Sequence, residues 1–261
     1  MLTRAIVRPP GESFAKGITT AALGAPRLSN AVAQHERYCH ALERCGLTLT
    51  RLEPDAQFPD STFVEDTAVL TDRVAVLARP GAESRRDEVA AIRETLGQFY
   101  ETLEEIRAPG TLDGGDVCQA GNHFFIGISR RTNAAGAKQL AGILAEHGYS
   151  SSHVDIRDVP ALLHLKSGLA CVDDELLVLH GELRGLEVFA GHEMLVVDPA
   201  EVYGANCVRV NEHVLMVAGH PRLEAALRAR AYPVIPLEMC YLGWQESLAQ
   251  LATLVEPEIP G

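Results

Sequence analysis

The chain has 261 residues, 47% of them hydrophobic and 22% charged, and 23 Lys+Arg against 35 Asp+Glu leave a formal net charge of −12. That apolar content offsets the entropy of ordering a chain, which excludes disorder. The acidic balance disfavours a nucleic-acid or anionic-membrane partner, both of which need Lys and Arg against phosphate, and it permits a cationic small molecule.

The chain starts MLTRAIVRPPGESFAKG, with no apolar block of signal-peptide length, and no later run approaches a membrane span of ~18 apolar residues. A cytoplasmic protein is expected. Cys39, Cys45, Cys118, Cys171, Cys207 and Cys240 are scattered and form no CxxC pair. Neither a zinc ribbon nor a redox dithiol is therefore expected, and no metal.

Short β-branched runs at 4–8, 48–52, 67–77, 123–128, 175–180 and 207–217 predict strands. Helical spacing of apolar residues predicts helices at 28–45, 84–96, 134–147 and 221–231, the third capped by Asn133. Strands alternating with helices place the chain in the α/β class. No low-complexity linker divides it, so one domain is expected over 1–261.

Four segments share a shape: EDTAVLTDRVAVLARPG, GGDVCQAGNHFFIGISRRTN, SGLACVDDELLVLHGEL and ANCVRVNEHVLMVAGHP. Each opens on an acidic or small polar residue, then runs strand, turn, strand and usually helix. The openings at Asp66, Asp116, Ser167 and Asn206 are 50, 51 and 39 residues apart. A unit of about fifty residues fits a closed radial array of about five units, which removes exposed sheet edges.

Polar residues gather where these units begin. Phe58–Asp66 (FPDSTFVED) carries three carboxylates, Asp60, Glu65 and Asp66, in a segment otherwise apolar enough to be buried. Buried carboxylates are costly unless they hold a cation or order a loop; a solvated acidic loop is the alternative. Paired glycines in Leu112-Asp113-Gly114-Gly115-Asp116 allow close backbone approach to a ligand, or form a turn capped by aspartates. His164, in LHLKSG, is either a core histidine or an imidazole facing those carboxylates, suited to acid–base work near neutrality. Arg85-Arg86 after a strand and Arg130-Arg131 at a helix entry would suit a substrate carboxylate, with surface solvation as the alternative.

Together FPDSTFVEDTAV, RPGAESRR, LDGGDV, FFIGISRRTN, HLKSG and ANCVRVNEHVLMVAGHP resemble, in order and over about residues 1–238, the dimethylarginine dimethylaminohydrolases of the guanidino-group-modifying (pentein) superfamily. The resemblance implies a five-bladed, pseudo-fivefold α/β propeller. It also implies hydrolysis of N-methylated arginines to citrulline and a methylamine, without metal or organic cofactor. Asp113 and Asp66 would grip the guanidinium, and His164 would protonate the leaving amine and then activate water. Asp60 and Glu65 would contact substrate, Arg85 and Arg131 would bind its α-carboxylate, and Ile18 would cover the pocket. The partner implied is an arginine derivative, with a homodimer as the candidate assembly.

Family members end with two glycines and a catalytic cysteine before a short strand, whereas this chain ends LEMCYLGWQESLAQLATLVEPEIPG. Ungapped continuation brings Leu251 to the nucleophile's place, eleven residues after Cys240, the last thiol. Cys240 is thus the candidate nucleophile, and residues 244–254 read as an amphipathic helix. The alternatives are a guanidino-binding protein without turnover and another arginine-type deiminase.

Overall fold

The computed structural model describes residues 1–19 and 25–238, together with the backbone of Thr253 and Leu254. Strand β1 (Arg4–Val7) leads through helix α1 (Leu28–Arg44) to β2 (Thr48–Arg51), parallel to β1. Helix α1 buries Ala31, His35, Tyr38, Cys39 and Leu42, a stripe at helical spacing.

Each later unit folds a hairpin and then returns in parallel. Strands β3 (Ala68–Leu70) and β4 (Ala75–Leu77) pair antiparallel, α2 (Val89–Leu96) follows, and β5 (Leu103–Glu105) runs parallel to β4. Next come β6 (Val117–Ala120), β7 (His123–Ile128), α3 (Ala134–Glu146) and β8 (Ser150–Asp155) in the same pattern. Asn133 caps α3 by accepting from the Gly136 N–H at 2.8 Å. The fourth unit has β9 (Leu169–Cys171), β10 (Leu176–Leu179) and β11 (Glu193–Val196), joined by short 3-10 turns instead of a helix. The fifth has β12 (Val208–Val210), β13 (His213–Val217), α4 (Pro221–Ala229) and β14 (Val234–Leu237). Gly121 and Asn211 supply the left-handed residue (φ 55° each) of the β6–β7 and β12–β13 turns.

Among the described residues this makes five three-stranded sheets. The first takes its antiparallel strand from the far end of the chain: β15 (Thr253–Leu254) pairs with β1, Arg4 opposite Leu254 and Ala5 opposite Thr253. This corrects the helix expected at 244–254; at 253–254 the backbone supplies hydrogen bonds to an edge that β1 would otherwise leave open. Residues 244–252 lie outside the described residues. The run at 67–77 forms the strand–turn–strand of its repeat segment, and the helix expected from 84 starts as a 3-10 turn, Glu83–Glu88.

The cores show that the sheets close into a ring. Ile6, Leu77 and Ile92 pack between the first sheet and the second, and Val76, Ile126 and Leu140 between the second and third. Phe125, Leu177 and Phe189 lie between the third and fourth, and Val178, Met216 and Leu227 between the fourth and fifth. Tyr38, Leu215 and Ile235 join the fifth to the first. This is the pseudo-fivefold α/β propeller expected from the repeats. Strands β3, β6, β9 and β12 face its axis and line a cavity of about 230 Å³.

Candidate active site

The turns that open units two, three and four meet where β3, β6 and β9 begin. Asp66 lies in the 3-10 turn Val64–Thr67, Asp113 precedes Gly114–Asp116, and His164 precedes Leu165–Ser167. The turns are fastened by one repeated bond. Asp66 Oδ1 accepts from the Gly115 N–H at 3.0 Å, and Asp116 Oδ1 accepts from the Leu165 N–H at 2.9 Å, each 49 residues downstream.

Asp66, Asp113 and His164 are all buried, at 1%, 0% and 2% exposure. His164 Nε2 stands 3.2 Å from Asp113 Oδ2 and 4.0 Å from Asp66 Oδ1. Each carboxylate is held from behind: Asp113 Oδ1 accepts from the Gly81 N–H at 2.8 Å, and Asp66 Oδ2 from Arg85 Nη1 at 2.5 Å. Burial alone would strip the imidazole of its proton, but Asp66, the Asp113 hydrogen bond and Asp116 outweigh it and hold the His164 pKa up at about 9. Burial opposes ionisation of Asp113 too, yet the His164 hydrogen bond and charge keep its pKa below the usual carboxylate value. The site thus holds an imidazolium between two carboxylates.

Among the described residues these three also form the cluster whose donor atoms, all within 4.8 Å, could hold a metal ion. A cation there would have to displace the proton from His164 Nε2 and compete with Arg85 for Asp66.

Asp60 is nearby and buried, its carboxylate accepting the Ile18 N–H at 3.1 and 3.2 Å. Burial pushes its pKa up against the pull of Arg85 and Arg131. Ile18 is 44% exposed. Arg85 is buried and spends its donors inside the protein: Glu88 takes Nε and Nη2, Asp66 takes Nη1, and the Asp60 and Phe63 carbonyls also take Nη2. Its guanidinium orients Asp66. Arg131 is half-buried, close enough to Asp60 to lower its pKa. Glu65 turns the other way, into the axial cavity, where it pairs with Lys166. Cys240 lies outside the described residues.

Three contributors were not singled out as site residues from the sequence. Asp116 fastens the His164 turn, and its position matches Asp66 in the repeat, a signal the spacing contained. Glu88 anchors Arg85, three residues away on the same turn. Lys166 neighbours His164 in sequence, and burial lowers its pKa to about 7.

A family model described as arginine deiminase matches residues 56–212. The chain is 43% identical over 239 residues to the N(G),N(G)-dimethylarginine dimethylaminohydrolase of Pseudomonas aeruginosa, covering 91% of this chain and 93% of that protein. It is 36% identical over 179 residues to the protein of that name from Streptomyces coelicolor, 68% of each. Among solved structures it is similar to a cysteine-to-serine mutant of the Pseudomonas protein complexed with citrulline, with TM-score 0.88 and 43% identity over 91% of this chain and 92% of that one. The N-terminal domain of ArgZ, a cyanobacterial arginine dihydrolase, has TM-score 0.85 over 100% of both chains at 15% identity, a likeness of fold alone.

Proposed function

Because the chain belongs to the arginine deiminase family and, within it, to the dimethylarginine dimethylaminohydrolases, we propose that it hydrolyses N-methylated arginines at the guanidino carbon to citrulline and a methylamine. The observation that carries this reading is the buried His164 imidazole set 3.2 Å from Asp113 and 4.0 Å from Asp66. A guanidinium is planar, cationic and a poor electrophile. Buried carboxylates hold it flat and charged, and a proton donor spares it from expelling an amide anion.

In this reading the Cys240 thiolate adds to the guanidino carbon. The C–N bond to the substituted nitrogen breaks as His164 delivers its proton, so a neutral amine leaves. The imidazole, now neutral, takes a proton from water; hydroxide adds to the carbon, the sulfur leaves as thiolate, and the new hydroxyl gives its proton to solvent as the ureido C=O forms. Asp60 remains a proposed substrate contact, Ile18 the cover over the pocket, and Arg131 the contact for the α-carboxylate; Glu65 joins them only by releasing Lys166 and turning out of the axial cavity. Arg85 reaches that carboxylate only by releasing a present partner, so its first role is to aim Asp66. The fastening of sheet to sheet supports a single domain over 1–261. No described helix is long and apolar enough to cross a membrane, and a cytoplasmic homodimer acting on a small molecule completes the proposal.

Incubating purified protein with mono- and dimethylarginine and assaying ureido product tests it, and absence of citrulline would overturn turnover. A thiol-directed haloacetamidine should label Cys240. The C-terminal sequence, which lacks the family's Gly-Gly-Cys segment, favours one rival, binding without turnover; calorimetry showing methylarginine binding with no product would select it. Arginine and agmatine as alternative substrates separate the deiminase reading.

A further inference from the structure

The axial cavity carries chemistry that the proposed reaction does not use. Three cysteines from successive units line it: Cys118 on β6, Cys171 on β9 and Cys207 just before β12. Cys118 and Cys171 belong to the same packed cluster between the third and fourth sheets. Cys118 Sγ hydrogen-bonds the Leu169 carbonyl at 3.5 Å, on the strand that carries Cys171, and Cys171 is near enough to help burial push the Cys118 thiol up. Both are free thiols, Cys118 buried and Cys171 half-buried. Leu2, Gln119, Cys171 and Arg209 line both this cavity and a more superficial hollow with Asp173 and Asn211, so Cys171 stands on the route from the surface.

We infer that Cys118 and Cys171 are an oxidant-reactive pair that closes to a disulfide, joining the third and fourth sheets, when a hydroperoxide enters the axial cavity. Cys171 reacts first, because it is half-buried and lines both the cavity and the superficial hollow, whereas Cys118 is buried and lines the cavity alone. Burial pushes the Cys118 thiol well up and keeps it protonated until a partner is presented. The Cys171 thiolate attacks one peroxide oxygen; an S–O bond forms, the O–O bond breaks, and water leaves after protonation, giving a sulfenic acid. Cys118 sulfur then attacks Cys171 sulfur; the S–S bond forms, the S–O bond breaks, and the departing hydroxide takes the Cys118 proton as a second water. The two thiols lose two electrons, and hydrogen peroxide is reduced to two waters.

Peptide mapping of the whole protein tests this apart from any turnover. Trypsin cuts after Arg107, Arg130, Lys166, Arg184 and Arg209, which puts Cys118, Cys171 and Cys207 in separate peptides. After graded hydrogen peroxide and alkylation, the expected product is the 118 peptide linked to the 171 peptide, two hydrogens lighter than their sum. It should disappear on reduction with dithiothreitol, be absent from Cys118→Ser and Cys171→Ser, and persist in Cys207→Ser. The mapping on the unsubstituted protein decides the matter even where a serine variant misfolds. A Cys171–Cys207 link, sulfinic acid on Cys171 alone, or full alkylation of Cys118 and Cys171 after peroxide would each overturn the inference.

Discussion

Asp66 and Asp116 occupy equivalent places in successive units, and each accepts a backbone N–H 49 residues downstream. Their other oxygens diverge. Asp66 Oδ2 faces the Arg85 guanidinium, whereas Asp116 Oδ2 accepts from the Ser129 hydroxyl at 2.7 Å. One fold position therefore meets the Arg85 guanidinium in the second unit and the Ser129 hydroxyl in the third.

That divergence separates two substitutions. Burial pushes the Asp116 pKa up to about 6, even against the charge of His164. A carboxyl raised above its unfolded value stabilises the fold while protonated, and that contribution is lost as pH rises from about 4 through about 6. Asp116→Asn keeps an acceptor for Leu165 and removes the buried charge, so it should leave stability at pH 7.5 within about 1 kcal/mol of the parent or above it. Asp66→Asn should instead cut methylarginine turnover by about 10²-fold or more. Urea titration and citrulline assay of both variants check this; a collapse of Asp116→Asn at pH 7.5 would contradict it.

His164 gives a pH signature. Its pKa is raised to about 9, so the stability it contributes is full below the unfolded value near 6.5 and lost as pH rises through about 9. Turnover that uses its proton should fall along the same alkaline limb. Asp113→Asn removes the hydrogen-bonding anion 3.2 Å away and should move that limb to lower pH. His164→Ala should lower kcat by about 10²–10⁴-fold. A limb unmoved by Asp113→Asn would remove the pair from the mechanism.

Much of this was legible in the sequence, because the repeat opens each unit with its polar residue. Asp66, Asp113 and His164 follow from that regularity once the units close into a ring. What was hidden is what a one-dimensional pattern does not encode. Strands such as β8, SSSHVD, are too polar to stand out, and β5, at three residues, is too short. Arg85 has the same sequence context whether or not it pairs with Asp66; the pairing shows only in its burial beside Glu88. Glu65 and Asp66 are adjacent, and their opposite orientations come from the tight 3-10 turn that holds both.

The Arg85–Glu88–Asp66 group predicts a large stability loss. Arg85 is 5% exposed as a side chain, and Glu88 and Asp66 are 1% each. Burial outweighs Arg85 and leaves the Glu88 pKa at about 6. Removing the cation strands two buried carboxylates, a loss of about 3–5 kcal/mol. Arg85→Met should therefore unfold at markedly lower urea, and Glu88→Gln, which keeps an acceptor, should lose less. Equal losses would show that the charge of Glu88 contributes more than its shape.

Two glycines should respond with opposite sign to the same substitution. A Cβ at Gly114 would lie 2.0 Å from the Glu65 carbonyl oxygen, in the turn that aligns Asp113 with Asp66. Backbone must shift there, so Gly114→Ala should lower both stability and turnover. At Gly142, inside α3, a Cβ meets nothing within 4 Å. Gly142→Ala should raise stability by about 0.5–1 kcal/mol, the helix-propensity gain, and leave activity alone. Thermal melts of the two variants on one preparation check the contrast.

Closing the ring depends on backbone that the sequence places last. Strand β1 is parallel to β2 on one side and takes β15 on the other, through only two residue pairs. Deleting residues 251–261 removes that partner and bares the N–H and C=O groups of Arg4 and Ala5. An open edge beside a buried inner face invites pairing with another chain. The truncated protein should melt at lower temperature and form higher-order species that grow with concentration, read by light scattering after size exclusion. The cores at Tyr38, Leu215 and Ile235 would still join the first and fifth sheets, so it should keep most of its secondary structure by circular dichroism. Unchanged melting and a monodisperse truncated protein would show that the α1-side packing alone holds the ring shut.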